Sequence, residues 1–180
     1  MSVSRLHRAC TVRQVRPSDS RLRHLFEEAE SHYAGLYSAA DNAAFNAVDL
    51  NDPSLLAFLA LAGEPAGCIL LRVEPDWAEI KRLYVARAAR RIGAGRMLVE
   101  AAIAAARERG VRGLRLETGA PQHEALRLYA GLGFAPCERF GDYPPHPLSR
   151  FLALDLKRSG NPAAGQILPL QFETLDRLGG

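Results

Sequence analysis

Residues 78–109 constrain the fold of this sequence more than any other stretch, because they pass from a strand-like apolar run, through a loop of cations and glycines, into an alanine-rich helix. Lys81, Arg82, Arg87, Arg90, Arg91 and Arg96 fall within this stretch, and no acid lies between Lys81 and Arg96. Arg90, Arg91, Ile92, Gly93, Ala94 and Gly95 stand where the strand of residues 78–85 gives way to the helix of residues 93–109, which Gly110 stops. Free backbone N–H groups and the helix dipole at such a start favour an anion, and glycine lets the backbone approach a phosphate closely. A charge run alone reads as a solvated face, and a short glycine pattern alone as turn geometry. Their coincidence at a helix start points to a phosphate.

The remaining sequence supplies an α/β frame. Residues 9–16 read as a strand, and Pro17, Ser18 and Asp19 as a turn and helix cap before Leu22, Leu25, Phe26 and Ala29 recur at helical spacing. A short helix is expected around residues 43–48. Residues 54–62 and 66–73 are apolar runs split by Gly63, Glu64 and Pro65, the spacing of an antiparallel hairpin. Residues 113–118 alternate as a strand, residues 123–130 continue as a helix ending in Gly131 and Gly133, and residues 134–140 and 149–156 read as two last strands. Helices alternating with strands in the second half imply parallel crossovers, and the hairpin implies antiparallel pairing, so the sheet should be mixed. No internal repeat is present.

With 180 residues and 48% apolar content, the chain is expected to form one domain without disulfides or metal staples. Residues 1–157 are read as that domain. Residues 158–180 are read as a Ser/Gly/Asn/Pro linker and an apolar tail that could dock on the domain or form a dimer. Cys10, Cys68 and Cys137 are too few and too scattered for a disulfide framework, and all three are expected to pack as small core residues in a reducing cytoplasm. No apolar run approaches the roughly 20 residues of a membrane helix, and the five histidines show no zinc spacing, so neither membrane nor metal is expected. A net charge of +3 argues weakly for a nucleic-acid partner, and the cations outside the loop, such as Arg5, Arg13 and Arg23, need not share a face.

Three ordered motifs resemble the GNAT superfamily of N-acetyltransferases. Arg90, Gly93 and Gly95 match its pyrophosphate loop, the segment from Glu79 to Val85 resembles its fourth strand, and Ala125-Leu126-Arg127-Leu128-Tyr129 followed by Leu132-Gly133-Phe134 resembles its later helix and turn. The resemblance implies a mixed, mostly antiparallel sheet with helices on both faces. It also implies a splayed pair of parallel strands, after Val85 and after Gly113, that admits the pantetheine arm of acetyl-CoA. By the same resemblance Leu83 and Val85, with Tyr84 between them, would offer backbone hydrogen bonds to that arm. Residues 91–96 would hold the pyrophosphate on their N–H groups, with the side chains of Arg90, Arg91 and Arg96 adding charge. Gln122 stands where many members carry Asn.

The implied reaction is direct acetyl transfer from acetyl-CoA to a primary amine of a small molecule, an amino acid or a protein, with no metal. Tyr129 matches the tyrosine that protonates the departing thiolate in many members, and Glu79 matches a position where several place a general base. A base is needed because an alkylamine with a pKa near ~10.4 costs about 4 to 5 kcal/mol to deprotonate at neutral pH. Tyr33, Tyr37 and Phe45 from the early helices, with Tyr143 from the proline-rich loop of residues 140–149, could line the acceptor side. Homodimers are common in the superfamily. Two other readings use less of the sequence: an acetyl-CoA sensor without turnover, and a tRNA- or nucleic-acid-directed acetyltransferase.

Overall fold

The computed structural model describes residues 9–36 and 48–157. The elements are β1 (Thr11–Val15), α1 (Ser20–Ala34), β2 (Leu55–Ala62), β3 (Glu64–Val73), β4 (Trp77–Val85), a 3-10 turn (Arg87–Ala89), α2 (Ala94–Glu108), β5 (Gly113–Gly119), α3 (His123–Ala130), β6 (Ala135–Pro136) and β7 (Ser149–Asp155). The strands form one sheet in the order β1-β2-β3-β4-β5-β7-β6. Every neighbouring pair is antiparallel except β4 and β5, which are joined through α2 as a parallel crossover.

The two-residue period of the strands divides the core into two layers. Leu55, Ala57 and Leu59 of β2, Cys68 and Leu70 of β3, and Tyr84 of β4 turn to one face, where they meet Leu22, Leu25 and Ala29 of α1. Phe58, Ile69, Ile80, Leu116 and Leu154 turn to the other, against Leu98, Val99 and Ala102 of α2 and Tyr129 of α3. Because β2 and β3 are covered on both faces, they read in sequence as unbroken apolar runs rather than as alternation. The expected mixed sheet with helices on both faces is therefore what forms. Asp19 caps α1, accepting from the Arg21 N–H at 2.9 Å, and the Arg21 guanidinium holds its carboxyl below the usual carboxylate range.

Two expectations need correction. The strand expected over residues 134–140 is only Ala135–Pro136, at the edge of the sheet, where a proline is tolerated; the Cys137 N–H still donates to the Phe151 carbonyl at 3.0 Å, and the chain beyond it becomes the loop leading to β7. Cys137, expected to pack in that strand, is consequently exposed, whereas Cys68 is fully buried with its thiol pushed up to about 12 by burial. The helix expected around residues 43–48 falls almost wholly, and the tail of residues 158–180 wholly, outside the described residues. No helix among the described residues is long and apolar enough to cross a membrane.

Gly113 begins both the β4–β5 and β5–β7 ladders, opposite Trp77 and Asp155. A Cβ there would fall against the Leu154 carbonyl oxygen and the Trp77 ring. Gly113→Ala should therefore destabilise the protein by about 1–3 kcal/mol, read as a lower urea midpoint with an unchanged slope.

Candidate functional site

Strands β4 and β5 pair only from Trp77 opposite Gly113 to Ile80 opposite Leu116, although β4 runs on to Val85 and β5 to Gly119. Beyond those pairs the strands part. At the same level the β3–β4 register shifts, Leu71 facing Ile80 and Leu70 facing Arg82, so Lys81 is an extra residue bulged out of β4. The Ala86 N–H donates to the Ala66 carbonyl at 3.0 Å, and counting back by twos turns the backbones of Tyr84 and Arg82 toward β3 and those of Leu83 and Val85 toward the gap. The Leu83 carbonyl accepts from the Tyr33 hydroxyl at 3.0 Å and the Val85 carbonyl from Arg90 Nε at 3.3 Å.

Next to the gap a groove of about 610 Å³ is lined by Tyr33, Leu83, Tyr84, Val85, Arg90, Arg91, residues 93–96, Gln122 and Leu128, among others. The first turn of α2 forms one wall. Its first intrahelical bond runs from the Met97 N–H to the Gly93 carbonyl at 3.0 Å, which leaves the N–H groups of Ala94, Gly95 and Arg96 without intrahelical acceptors. Gly93 has a φ of 86° and Arg91, unusually for a residue with a Cβ, a φ of 68°, so the chain curls back on itself just before the helix. With no acid in that turn, backbone dipole and guanidinium groups add rather than cancel. Ile92 projects to solvent, 43% exposed, while Ala94 is buried. Gln122 is the N-cap residue of α3.

Tyr129 of α3 is buried on the α2 side of the sheet, its ring tilted against Phe134 at 5.4 Å. Burial, and secondarily the neighbouring Tyr33, raise its phenol well above the ordinary value, so it stays protonated.

The opposite face of β4 and β5 carries a different chemistry. Ala78, Ile80, Leu114 and Leu116 turn toward α2, so Glu79, Lys81, Arg115 and Glu117 turn away from it. Glu79 is 1% exposed and saturated with donors: Arg72 Nη2 at 2.7 Å, Lys81 Nζ at 3.0 Å and the Tyr143 hydroxyl at 2.5 Å. Arg72 and Arg115 both reach Glu74. Phe140, Tyr143 and Phe151 stack edge-on over this network, and the Arg115 guanidinium lies on the Phe140 ring. Burial and the bond to Glu79 raise the Tyr143 phenol, so it acts as a donor.

The structure thus gathers Leu83, Tyr84, Val85, Arg90, Arg91, Gly93, Ala94, Gly95, Arg96 and Gln122 around one groove, and Glu79 with Tyr143 on the other side of the sheet. Tyr33, expected on the acceptor side, reaches the groove and the gap instead. Tyr37 and Phe45 lie outside the described residues. Sequence reasoning gave no role to Arg72, Arg115 or Glu117, although the alternation Leu114-Arg115-Leu116-Glu117 already sends two charges to one face. Among the described residues no group of three or more His, Cys, Asp or Glu side chains is placed to hold a metal ion.

The model of the acetyltransferase (GNAT) family matches residues 20–134. An IAA acetyltransferase of Azospirillum brasilense is 34% identical over 145 residues, spanning 79% of this chain and 95% of its own. A crystal structure from Klebsiella pneumoniae assigned as an acyl-CoA N-acyltransferase superposes with a TM-score of 0.70 at 29% identity, covering 82% of this chain and 97% of that one. The PaiA N-acetyltransferase of Thermoplasma acidophilum, solved in complex with coenzyme A, shares the fold with a TM-score of 0.65 at 18% identity, over 82% of this chain and 99% of its own.

Nothing lies within 4 Å of where a Cβ on Gly93 would stand, so a substitution there tests backbone conformation without crowding. Gly93→Ala should cost about 1–2 kcal/mol of stability, read by thermal or urea unfolding, and should weaken anion binding at the groove because the first turn of α2 no longer closes on it.

Proposed function

This chain belongs to the acetyltransferase (GNAT) family of acetyl-CoA-dependent enzymes, and from that premise we propose that it transfers an acetyl group from acetyl-CoA directly to a primary amine. The observation that carries the reading is the β4–β5 gap: its two strand edges part beside a groove whose far wall is the acid-free start of α2.

The residues present fit the cosubstrate. The N–H groups of Ala94, Gly95 and Arg96, with the Arg90, Arg91 and Arg96 side chains, would hold the pyrophosphate. The backbones of Leu83 and Val85 would hold the pantetheine arm as a strand is held, with the Tyr33 hydroxyl yielding the Leu83 carbonyl, and Gln122 would contact the arm from α3. Bound there, acetyl-CoA supplies an activated thioester at the gap. Tyr129, kept protonated by its burial, would supply a proton to the leaving sulfur. The acceptor would come from the opposite face, past Glu79 and Tyr143. Residues 1–157 are the catalytic unit in this reading.

Glu79 is the carboxylate on that face with the firmest place, and its three donors limit what it can do. Accepting a proton would leave Arg72 and Lys81 facing a neutral group, so Glu79 serves better to fix Lys81 and Tyr143 than to take the amine's proton unaided.

Titration with acetyl-CoA in a calorimeter, followed by thiol release against a panel of primary amines, tests the function. Saturable binding with amine-dependent release is expected; binding without release would favour a sensor, and no binding would overturn the assignment. Tyr129→Phe should lower kcat about 100-fold or more while leaving acetyl-CoA affinity unchanged, and undiminished turnover would remove Tyr129 from the acid role.

A further inference from the structure

We infer that the acceptor is a free amino acid and that Arg72 and Arg115 hold its carboxylate while its amine lies at the β4–β5 gap; the inference rests on the transferase reading above and names the substrate class of the same site.

Unmet hydrogen bonds argue first. Among the described residues, three buried side-chain polar atoms lack a partner: Arg72 Nε, Arg115 Nε and Glu117 Oε1. All three belong to the wall on the face away from α2, where Glu79 stands between Arg72 on β3 and Arg115 on β5. Nε and Nη2 are the two parallel prongs with which an arginine grips a carboxylate. Arg21 shows such a fork in full use, with Nε on one oxygen of Asp19 at 3.0 Å and Nη2 on the other at 2.8 Å. Of that pair of prongs, Arg72 and Arg115 use Nη2 alone, the first on Glu79 and Glu74 and the second on Glu74. A buried donor left without an acceptor costs on the order of 1–3 kcal/mol, and such an atom in a well-satisfied protein calls for a ligand that completes it. Two empty donors and one empty acceptor on the same wall are the complement of a carboxylate joined to an amine.

Placement argues second. One oxygen of Glu74 meets Arg72 and the other Arg115, so the two guanidinium groups come close enough to share a single carboxylate. Glu74 follows Val73, whose partner is Ala78, and therefore approaches them from the closed end of the ladder. The gap lies on their other side. Lys81 and Glu117, the first residues past the last β4–β5 pair, stand two residues, or about 7 Å, beyond the row of Arg72, Glu79 and Arg115. With a hydrogen bond of about 3 Å at the guanidinium end, that distance suits a carboxylate and an amine one to three carbons apart. Arg115 is held in place 4.4 Å from the centre of the Phe140 ring, and the side chains of Arg72 and Arg115 remain 37% and 21% exposed, so a ligand reaches them.

Charge argues third. Arg72, Lys81 and Arg115 share the wall with Glu74, Glu79 and Glu117, and the six charges balance. A simple alkylammonium would bring an unmatched positive charge into it. An amino acid enters as a zwitterion, its carboxylate toward the arginines and its ammonium toward the gap, and the balance is kept.

The product is the N-acetyl amino acid. The nitrogen forms its bond to the acetyl carbon and the carbon–sulfur bond breaks. Of the three ammonium protons, one goes to solvent, one to the departing sulfur, and one stays on the amide.

The test uses the full chain at saturating acetyl-CoA and reads thiol release for matched pairs: α-amino acids with apolar, aromatic and polar side chains against their carboxamides, and β- and γ-amino acids against theirs. An α-carboxamide has the less basic amine, so chemistry alone favours it, and a preference for the acid reports recognition. Wild type should show kcat/KM about 100-fold or more higher for its best free acid than for the matching carboxamide. Arg115→Gln should bring that ratio below about 5-fold, chiefly by raising KM for the acid, while carboxamide turnover and acetyl-CoA affinity stay within about 2-fold. Arg72→Lys keeps a charge beside the buried Glu79 but loses the fork, and should cut the ratio about 10-fold. Because both members of a pair are measured on one preparation, the ratio does not depend on how much of a variant folds. Equal or better use of the carboxamide by wild type, or a ratio that both variants keep, would overturn the assignment and leave the transferase reading standing. Acetyl-CoA binding with no amine acetylated would end that reading first, and this one with it.

Discussion

Everything distinctive in this molecule follows from one pair of strands that stop bonding to each other. Parallel pairing of β4 with β5 ends at Ile80 and Leu116, and two open backbone edges then diverge inside a sheet whose every other neighbouring pair is antiparallel. Unpaired edges inside a domain carry a heavy cost unless something else meets them. Here Tyr33 and Arg90 meet the carbonyls of Leu83 and Val85, and the bulge at Lys81 turns those carbonyls toward the gap. The crossover between the two strands places the start of α2 at the mouth, so the opening and the anion-favouring helix end arise from a single βαβ connection.

The two faces of that opening are electrostatically different. On the α2 side, helix dipole and arginines act together, and the nearest acids are peripheral: Glu124 stands 4.0 Å from Arg90, and Glu100 pairs with Arg96 one turn along the helix. On the other side, charges alternate across the sheet from Arg72 to Glu79 to Arg115, and from Lys81 to Glu117, so partners lie within reach and a low-dielectric wall remains tolerable. An anionic cosubstrate suits the first face. The second presents carboxylates instead, a buried Glu79 held by three donors and a half-buried Glu117.

The second half of the fold was legible in the sequence because its signals are local. The glycines at 93 and 95, the alanine-rich helix and the Leu-Gly-Phe turn each prescribe backbone geometry within a few residues, and they appear where they were expected. The acid-free charge run was only partly legible: Lys81 leaves it to join Glu79 and Arg82 lies over the Phe26 ring, because the bulge at Lys81 turns both neighbours to the face away from α2. The polar wall was harder still to read. Arg72, Glu79, Arg115 and Tyr143 meet only through cross-strand register and a long loop, and neither is written in any short window of sequence. Pro136 was the local signal of a sheet edge at residues 134–140, outweighed by the apolar residues around it.

Amide hydrogen exchange with and without acetyl-CoA tests the central claim most directly, because the account names the N–H groups that change partners. Slowed exchange confined to Leu83, Val85 and residues 94–96 is the result expected of an arm lying in the gap with its pyrophosphate on α2. Protection elsewhere on the surface, or binding that leaves those amides unchanged, would contradict it.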